Sequence, residues 1–297
     1  MRIERIPSQH QSFKEVTRLR KGGPVARLFA GIMARLSGIR IFLRYKLLRP
    51  SLPDTLPADG DFVLSLTSFP KRMTYLWMVI DMLMRQETRP SAIYLCLFKG
   101  DFPDGKLPES LDPYLNRGLK VLWADQDLKP HLKYHLAFKV EVSGRKRNVI
   151  TVDDDLFYPA WMVTRLAKLH SEYPDAVCAD ITRRINGPHY SDWAFEMAAH
   201  APDKDLLALG AGGVLYPFSF YKSECLFDTD SILKTCLKAD DLWLKRCENL
   251  VGVGVVTGDF FAVPAELPSS QTVSLSSSNV DLGKNDVAWE AINRLDS

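Results

Sequence analysis

The hydrophobic pattern of the chain alternates between short apolar runs and longer amphipathic stretches. The runs of strand length are residues 62–67, 92–98, 119–123 and 149–152. The helical stretches between and after them are residues 74–85, 129–142 and 161–171. Strands that alternate with helices at this spacing predict an open, mostly parallel sheet flanked by helices, which is a Rossmann-like α/β fold.

The second half of the chain has a less regular pattern. A Gly-rich turn at residues 210–213 leads into an apolar strand, and a helical stretch at 231–249 precedes another apolar strand at 251–256. Residues 264–283 are rich in serine and predict a mobile loop, and residues 286–295 predict a last short helix.

The first 60 residues differ from the remainder in composition. Residues 25–48 follow helical spacing, and residues 50–60 are rich in proline and predict a linker. Residues 1–50 contain 12 Lys and Arg but only two Glu, whereas the net charge of the whole chain is +2. We therefore expect residues 1–60 to form a basic, partly helical N-terminal extension of a domain at 61–297. Two interpretations of its helix stay open: contact with an anionic membrane surface, or packing on its own domain with a solvated basic face.

The cysteines and the apolar runs indicate the compartment. The five cysteines form no Cys-x-x-Cys pair, and the spacing of Cys225, Cys236 and Cys247 matches no metal motif. We expect reduced thiols, which suit a reducing compartment. The chain has no apolar run of the length needed to span a bilayer and no pattern typical of a secretory signal. The predicted location is cytoplasmic, and the membrane interpretation of the helix adds peripheral contact on the inner face of the plasma membrane through residues 1–50.

Three consecutive carboxylates follow the fourth predicted strand. Asp153, Asp154 and Asp155 carry like charges that repel unless water or a cation neutralises them. Mg²⁺ and Mn²⁺ take oxygen ligands, and commonly combine one or two carboxylates with substrate phosphates. Ligands of α/β sheets also bind at the carboxyl ends of strands. The triplet therefore predicts a divalent-metal site for a phosphorylated substrate, and the alternative is an acidic turn with solvated charges.

Two groups of polar residues before the triplet suit such a substrate. Thr67, Ser68 and Arg72 follow the first strand, where hydroxyls and cations favour a nucleotide or its phosphates. Lys133 supplies a positive charge for a diphosphate, or else is an exposed lysine on a helix.

Two groups after the triplet suit the same chemistry. Asp240 and Asp241 lie in or before a helix. Either one of them is a general base, or both are acids that interact favourably with the helix dipole. Gly212 and Gly213 allow close approach of the backbone to a ligand, although the segment lacks the Lys-Ser/Thr ending of a P-loop.

Four motifs in order resemble those of bacterial GT-A glycosyltransferases of polysaccharide synthesis. They are LSLTSFPKR, ITVDDDLFYP, GAGGVLYP and ADDLW, and the resemblance covers residues 62–290. It implies a GT-A-like catalytic domain at 61–297 with an Asp-x-Asp metal site. The implied activity is that of a hexosyltransferase, which moves a sugar from a nucleotide-diphosphate sugar to a glycan or lipid-linked glycan acceptor. The expected donor is a UDP-sugar.

The resemblance also implies roles for single residues. Asp153 and Asp155 would bind Mn²⁺ or Mg²⁺, with Asp155 as the favoured direct ligand and the ribose or a metal-bound water as the alternative contact of Asp153. Asp241 would be the general base with Asp240 as rival. The implied donor-binding set is Thr67, Ser68, Arg72, Lys133, Asp153, Asp154, Gly212 and Gly213. Many enzymes of this fold complete the metal shell with a late histidine, whereas this chain has no His after His200. Asn285 or Asp286 is the candidate substitute, and the alternative is that the metal keeps water at that position.

Two other functions fit the same residues. A nucleotidyltransferase acting on a sugar phosphate also joins an α/β sheet to an acidic metal site, and it releases pyrophosphate. A non-catalytic glycan-binding protein would retain the acids for structure only. No nucleic acid is expected as a partner.

Overall fold

The computed structural model describes residues 23–196, 198–258, 264–268 and 283–296. Its strands are β1 (Phe62–Thr67), β2 (Ile93–Phe98), β3 (Leu119–Ala124), β4 (Asn148–Thr151), β5 (Leu156–Phe157), β6 (Val177–Ala179), β7 (Thr182–Arg184), β8 (Phe195–Glu196), β9 (His200–Asp203), β10 (Leu206–Ala208), β11 (Val214–Tyr216), β12 (Val255–Thr257) and β13 (Ala265–Glu266). Its α-helices are α1 (Pro24–Leu48), α2 (Met73–Met84), α3 (Asp112–Leu115), α4 (Leu132–Ser143), α5 (Met162–Glu172), α6 (Thr229–Thr235), α7 (Asp240–Val251) and α8 (Lys284–Asn293).

An eight-stranded sheet holds these elements together. Its strand order is β3-β2-β1-β4-β11-β6-β12-β9, and six of its strands run in one direction while β11 and β9 run against them. Two smaller sheets, β10-β7-β8 and β13-β5, lie beside it. The predicted fold class, an open and mostly parallel sheet flanked by helices, is confirmed.

Alternating side chains of the central strands face two separate cores. In β1, Leu64 and Leu66 join the core that includes α2 and α5, whereas Val63 joins the core that includes α4 and α7. Because successive side chains of a strand point to opposite faces, a strand buried on both sides is apolar along its whole length. This is why β1, β2 and β4 appear in the sequence as mainly apolar runs, in which Ser65 of β1 and Thr151 of β4 are buried polar exceptions.

The carboxyl ends of the parallel strands meet the amino end of β11 at one edge of the sheet. Val214, the first residue of β11, pairs with Thr151 of β4 on one side and with Ala179 of β6 on the other. The segments that follow β1, β4, β6 and β12 therefore lie at the same edge as the turn before β11. We call this the site edge, and it comprises residues 67–72, 153–155, 180–181, 210–213 and 258.

Several predicted boundaries are wrong, and one of them changes the site. The helix predicted at 231–249 is two helices, α6 and α7, because the chain leaves helical geometry at Cys236 and is still non-helical at Ala239. This break puts Asp240 and Asp241 in the first turn of α7. The helix predicted from Lys129 starts at Leu132, after a 3₁₀ turn at Lys129–His131.

The end of the chain differs from expectation in a similar way. The strand predicted at 251–256 begins at Val255, because Gly252 ends α7 in a left-handed conformation with φ of 75°. The predicted loop at 264–283 contains the strand β13, and its residues 269–282 lie outside the described part of the chain.

The expectation of free thiols throughout is wrong for two cysteines. Cys225 and Cys247 form a disulfide with a Cα–Cα distance of 5.6 Å, which ties the segment before α6 to α7. Cys96, Cys178 and Cys236 are free and buried.

One face of α1 packs on the domain. Ile41 and Tyr45 are buried, and the Tyr45 hydroxyl donates to Asp81 at 2.8 Å. Gly38 lies directly against the carbonyl oxygen of Glu266 in β13. The interpretation in which the helix packs on its own domain is therefore correct for this face, while the domain boundary at residue 60 stays a prediction. Among the described helices, none has both the length and the apolar character to cross a membrane.

Candidate functional site

The three aspartates after β4 differ in exposure. The side chains of Asp153 and Asp155 are 32% and 17% exposed, whereas that of Asp154 between them is 5% exposed. The triplet is therefore not a turn of fully solvated acids. Its outer two carboxylates are open to a ligand, and its middle one is part of the protein interior.

Arg72 neutralises the inner part of the triplet. It follows β1 in a 3₁₀ turn, and its guanidinium lies 2.5 Å from Asp154 and 3.1 Å from Asp155. Burial raises the pKa of Asp155 to about 7, and the neighbouring charge of Asp154 adds to this while Arg72 opposes it. One guanidinium thus serves two carboxylates, and the remaining negative charge favours a proton or a cation at Asp155.

Lys133 connects the triplet to the acids of α7. Its side chain is 5% exposed, and its ammonium lies 2.9 Å from Asp153 Oδ1 and 2.9 Å from Asp240 Oδ2. The Ser65 hydroxyl donates to the Lys133 carbonyl at 2.5 Å, which fixes the start of α4 to β1. Although burial lowers it, the pKa of Lys133 is raised well above its usual value by Asp153 and Asp240. The alternative of an exposed helix lysine is therefore wrong, and Lys133 is a buried, charged link.

The two acids of α7 have different surroundings. Asp240 is buried, and its pKa is lowered because Lys133 and His131 outweigh the effect of burial. Asp241 is half-buried and accepts a hydrogen bond from the Gly210 N–H at 3.2 Å. Burial and the charge of Asp240 raise the pKa of Asp241 well above its usual value. Asp241 is thus the more accessible of the two acids and has the higher proton affinity, a combination that suits a general base.

Gly210 lies at the point where these groups meet. A Cβ at this position would stand 2.9 Å from Lys133 Nζ, 3.4 Å from Asp241 Oδ1 and 3.7 Å from Asp153 Oδ1. From the sequence, only the two later glycines of this turn, Gly212 and Gly213, were assigned to ligand binding. Gly210 was missed, although it is the first residue of the same Gly-rich segment.

Gly212 and Gly213 are explained by packing within the protein. A Cβ on Gly212 would stand 2.7 Å from Ile181 Cγ1, and a Cβ on Gly213 would stand 3.0 Å from the sulfur of Met162. Gly213 also has a φ of +84°, a backbone conformation that residues with a side chain rarely adopt. Their role in ligand binding stays a prediction.

The other predicted residues lie at or close to the site edge. The Thr67 hydroxyl donates to the Cys96 carbonyl at 2.8 Å, so it is engaged within the sheet. Ser68 is buried, and burial raises the pKa of Asp154 although Arg72 and Ser68 oppose this effect. Asn285 is buried at the start of α8, and Asp286 accepts a hydrogen bond from the Ser191 N–H at 3.3 Å. Their contacts with a nucleotide or a metal stay predictions.

The sequence did not single out two supports of the site edge. The Tyr158 hydroxyl accepts a hydrogen bond from the Asp153 N–H at 2.8 Å. Asp180 follows β6, is fully buried, and is paired with Arg165 at 3.0 Å. Burial raises the pKa of Asp180 to about 6. An acid after a short strand is the only sequence signal for this pair.

The donor set of the triplet fits a hard divalent cation. Asp153 and Asp155 offer partly exposed carboxylate oxygens, and such cations complete their shells with phosphate oxygens and water. Within the described residues, no group of three or more His, Cys, Asp and Glu is arranged to hold a metal. The protein would therefore contribute two carboxylates, and the rest of the shell would come from a bound substrate and solvent.

Comparison with known proteins gives distant structural likenesses. No protein-family model matches the chain, and no curated protein matches it. One likeness is to a crystal structure of S. aureus TarS, residues 1–349, in complex with UDP-GlcNAc. The sequence identity is 17% and the TM-score is 0.47, and the alignment covers 69% of this chain and 58% of that chain. A longer S. aureus TarS structure is 16% identical, with a TM-score of 0.48, and covers 69% of this chain and 37% of that one.

A third solved structure with a likeness is a 4-diphosphocytidyl-2C-methyl-D-erythritol synthase. It is 12% identical, with a TM-score of 0.43, and covers 73% of this chain and 98% of that chain. At these identities and TM-scores the likenesses assign no activity, so the function rests on the site itself.

Proposed function

We propose that the protein is a metal-dependent glycosyltransferase that moves a sugar from a nucleotide-diphosphate sugar to a glycan or lipid-linked glycan acceptor. One observation carries the proposal. Asp153 of the triplet, Asp241 of α7 and Gly210 of the turn before β11 are remote in sequence and converge around the buried ammonium of Lys133. A carboxylate proposed for the metal and a separate acid proposed for proton transfer are thus held side by side.

The donor half of the proposed site is the acidic triplet with its cations. Asp153 and Asp155 would hold Mn²⁺ or Mg²⁺ at the donor diphosphate, and Asp154 keeps Arg72 in place between the strands. The metal would supply positive charge where negative charge develops on the leaving diphosphate. Thr67 and Ser68 at the end of β1 are the proposed contacts of the nucleotide, and Arg72 and Lys133 add positive charge around the diphosphate.

The acceptor half is Asp241 with its neighbours. Its carboxylate would take the proton of the acceptor hydroxyl as the new glycosidic bond forms. The Gly210 N–H orients this carboxylate. The Asp240–Lys133 pair keeps Asp240 ionised, and that fixed charge raises the proton affinity of Asp241. Gly212 and Gly213 are proposed to line the sugar or acceptor pocket from the same turn.

The first test is donor binding by isothermal titration calorimetry. UDP-GlcNAc is the first probe because it is the ligand in the S. aureus TarS complex, and other UDP-sugars and GDP-sugars follow, each with and without Mn²⁺. We expect binding that depends on Mn²⁺, and Asp155→Ala should lower the donor affinity by about tenfold or more. Asp59→Ala changes a carboxylate that is 94% exposed and should leave binding unchanged. Full turnover in excess EDTA would remove the metal from the proposal.

The second test separates the base from the donor site. Asp241→Asn should lower kcat by roughly 10²- to 10⁴-fold, because an amide does not accept the proton, while donor affinity stays within about twofold. A collapse of donor affinity would contradict the assignment of Asp241 as base. The released product also discriminates: a nucleoside diphosphate supports glycosyl transfer, and pyrophosphate would indicate a nucleotidyltransferase instead.

A further inference from the structure

Helix α1 has two apolar faces. Its inner face is buried and consists of Ala30, Ala34, Gly38, Ile41 and Tyr45, the last three of which contact the domain. Its outer face is an apolar stripe whose residues are each between 44% and 69% exposed: Val25, Phe29, Ile32, Leu36, Ile39 and Leu43. At 3.6 residues per turn the two faces lie on roughly opposite sides of the helix. Packing on the domain therefore explains the inner face and leaves the outer stripe unexplained.

Basic side chains border the outer stripe on both sides. By helical geometry Arg35 and Lys46 lie along one border, and Arg40 and Arg44 lie along the other. Arg35, Arg40 and Lys46 are exposed. The sequence from residue 16 to residue 53 contains no Asp or Glu. The stripe and its borders thus form a surface that is apolar in the middle and positively charged at the edges.

We propose that the outer stripe of α1 docks on an anionic phospholipid bilayer. The helix lies parallel to the bilayer plane, with its apolar side chains at the boundary between headgroups and acyl chains. The bordering Arg and Lys side chains contact the anionic headgroups. The inner face meanwhile keeps its contacts with the domain, so docking requires no rearrangement of the fold.

Charge argues against a second copy of the chain as the occupant. The residues of the stripe recur at alternating spacings of four and three, which also suits the seam of a coiled coil. In such a pair Arg35 and Arg40 would flank the seam in both helices, and like charges would face each other across it. An anionic surface instead provides the opposite charge along both borders.

The backbone connects the docking surface to the acidic triplet. Gly38 of α1 packs on β13, and β13 pairs with β5, which begins directly after Asp155. The Leu267 N–H donates to the Asp155 carbonyl at 2.8 Å. The same two-stranded sheet therefore supports the membrane-facing helix and the carboxylates.

Vesicle flotation of the full chain tests the inference without reference to activity. We expect binding to vesicles of phosphatidylcholine with about a third phosphatidylglycerol, little binding to phosphatidylcholine alone, and a several-fold loss when NaCl rises from about 0.1 M to 0.5 M. The variant Leu36→Asp/Leu43→Asp should lower the bound fraction by about tenfold or more, because both side chains leave the apolar layer.

A second double variant provides the matched control. Leu250 and Val142 are 55% and 47% exposed, close to the 56% of Leu36 and the 46% of Leu43, and they lie on α7 and α4. Leu250→Asp/Val142→Asp adds the same charge and should bind vesicles like the unaltered protein. Circular dichroism melts verify folding, and Leu36→Ser/Leu43→Ser replaces the charged variant if that one unfolds.

Three outcomes would overturn the inference. The unaltered protein does not float with anionic vesicles, or the control variant loses binding as much as the stripe variant does. The third outcome is a dimer in sedimentation that Leu36→Asp/Leu43→Asp abolishes, without vesicle binding, which would make a second copy the occupant. Donor binding measured by calorimetry is independent of all three, so failure here leaves the proposed function untouched.

Discussion

Lys133 determines the electrostatics of the site because it is the buried cation shared by two carboxylates. The sequence indicated a positive charge that suits a phosphorylated ligand, and it left open whether the side chain is exposed. Periodicity within α4 does not decide this, since the helix is covered by strands on one side and by the 3₁₀ segment Phe218–Lys222 on another. The alternating exposure of the Asp triplet was likewise inaccessible from sequence, because it depends on Arg72 arriving from a different strand end.

Removing the charge of Lys133 should destabilise the protein strongly. Lys133→Met retains most of the volume but leaves Asp153 and Asp240 without their shared cation, and breaking a buried ion pair in this way costs about 3–5 kcal/mol. Urea unfolding followed by circular dichroism measures the loss. A drop below about 1 kcal/mol would mean that solvent or Arg72 already neutralises these acids.

A double variant tests whether the pairing itself is responsible. Lys133→Met with Asp240→Asn removes one unpaired charge along with the cation, so the free energy of unfolding should recover in part relative to Lys133→Met alone. If the effects of Lys133→Met and Asp240→Asn on the free energy of unfolding simply add, the two side chains are not directly coupled.

At the scale of elements, the long apolar strands could be predicted and the short ones could not. β1, β2 and β4 are runs of four to six residues with buried faces, whereas β5, β8 and β13 have two residues each and no readable period. The break between α6 and α7 was also missed, because both helices share one continuous helical pattern. Yet this break makes Asp240 and Asp241 a helix start, and so determines where the candidate base lies.

Two glycines of α1 test how this helix docks. Both lie in the helix interior, but a Cβ on Gly38 would overlap the carbonyl oxygen of Glu266, whereas a Cβ on Gly31 would meet nothing within 4 Å. Gly31→Ala should stabilise the protein by about 0.5–1 kcal/mol through helix propensity. Gly38→Ala should destabilise it by about 1–3 kcal/mol, because the backbones of α1 and β13 must move apart.

Thermal and urea unfolding of both variants measure the difference. Equal effects of the two substitutions would show that α1 does not rest on β13 in solution. Loss of the β13 contact should also loosen β5, and limited proteolysis near residues 264–268 reports on that step.

For the whole molecule, the fold class followed from the alternation of strands and helices, but the convergence of the site did not. Residues 153 and 210 come together because β11 runs antiparallel between β4 and β6, which brings the Gly-rich turn to the carboxyl edge, and the Gly210 N–H then donates to Asp241 of α7. No local pattern encodes the direction of a three-residue strand. The motif order therefore predicted the participants of the site and not their contacts.

The pH dependence of the overall stability should show the titration of one buried acid at the site edge, Asp180. The pKa of Asp180 in the folded protein is about 6, above its ordinary value of 3.8, because burial disfavours its ionised form more than Arg165 favours it. The folded state therefore binds more protons than the unfolded state between about pH 4 and pH 6. By linkage, the contribution of Asp180 to stability is present below pH 4 and is lost as pH rises through 6.

Asp180→Asn removes this titration and isolates its effect. The free energy of unfolding of the unaltered protein minus that of Asp180→Asn should fall by roughly 2–3 kcal/mol between pH 4 and pH 7, since one pKa unit corresponds to about 1.4 kcal/mol. Taking the difference cancels other groups that titrate in the same window. Asp104→Asn changes an exposed carboxylate and should keep the slope of the unaltered protein. If the difference in the free energy of unfolding between the two proteins does not change from pH 4 to pH 7, Arg165 keeps Asp180 fully ionised in the folded protein.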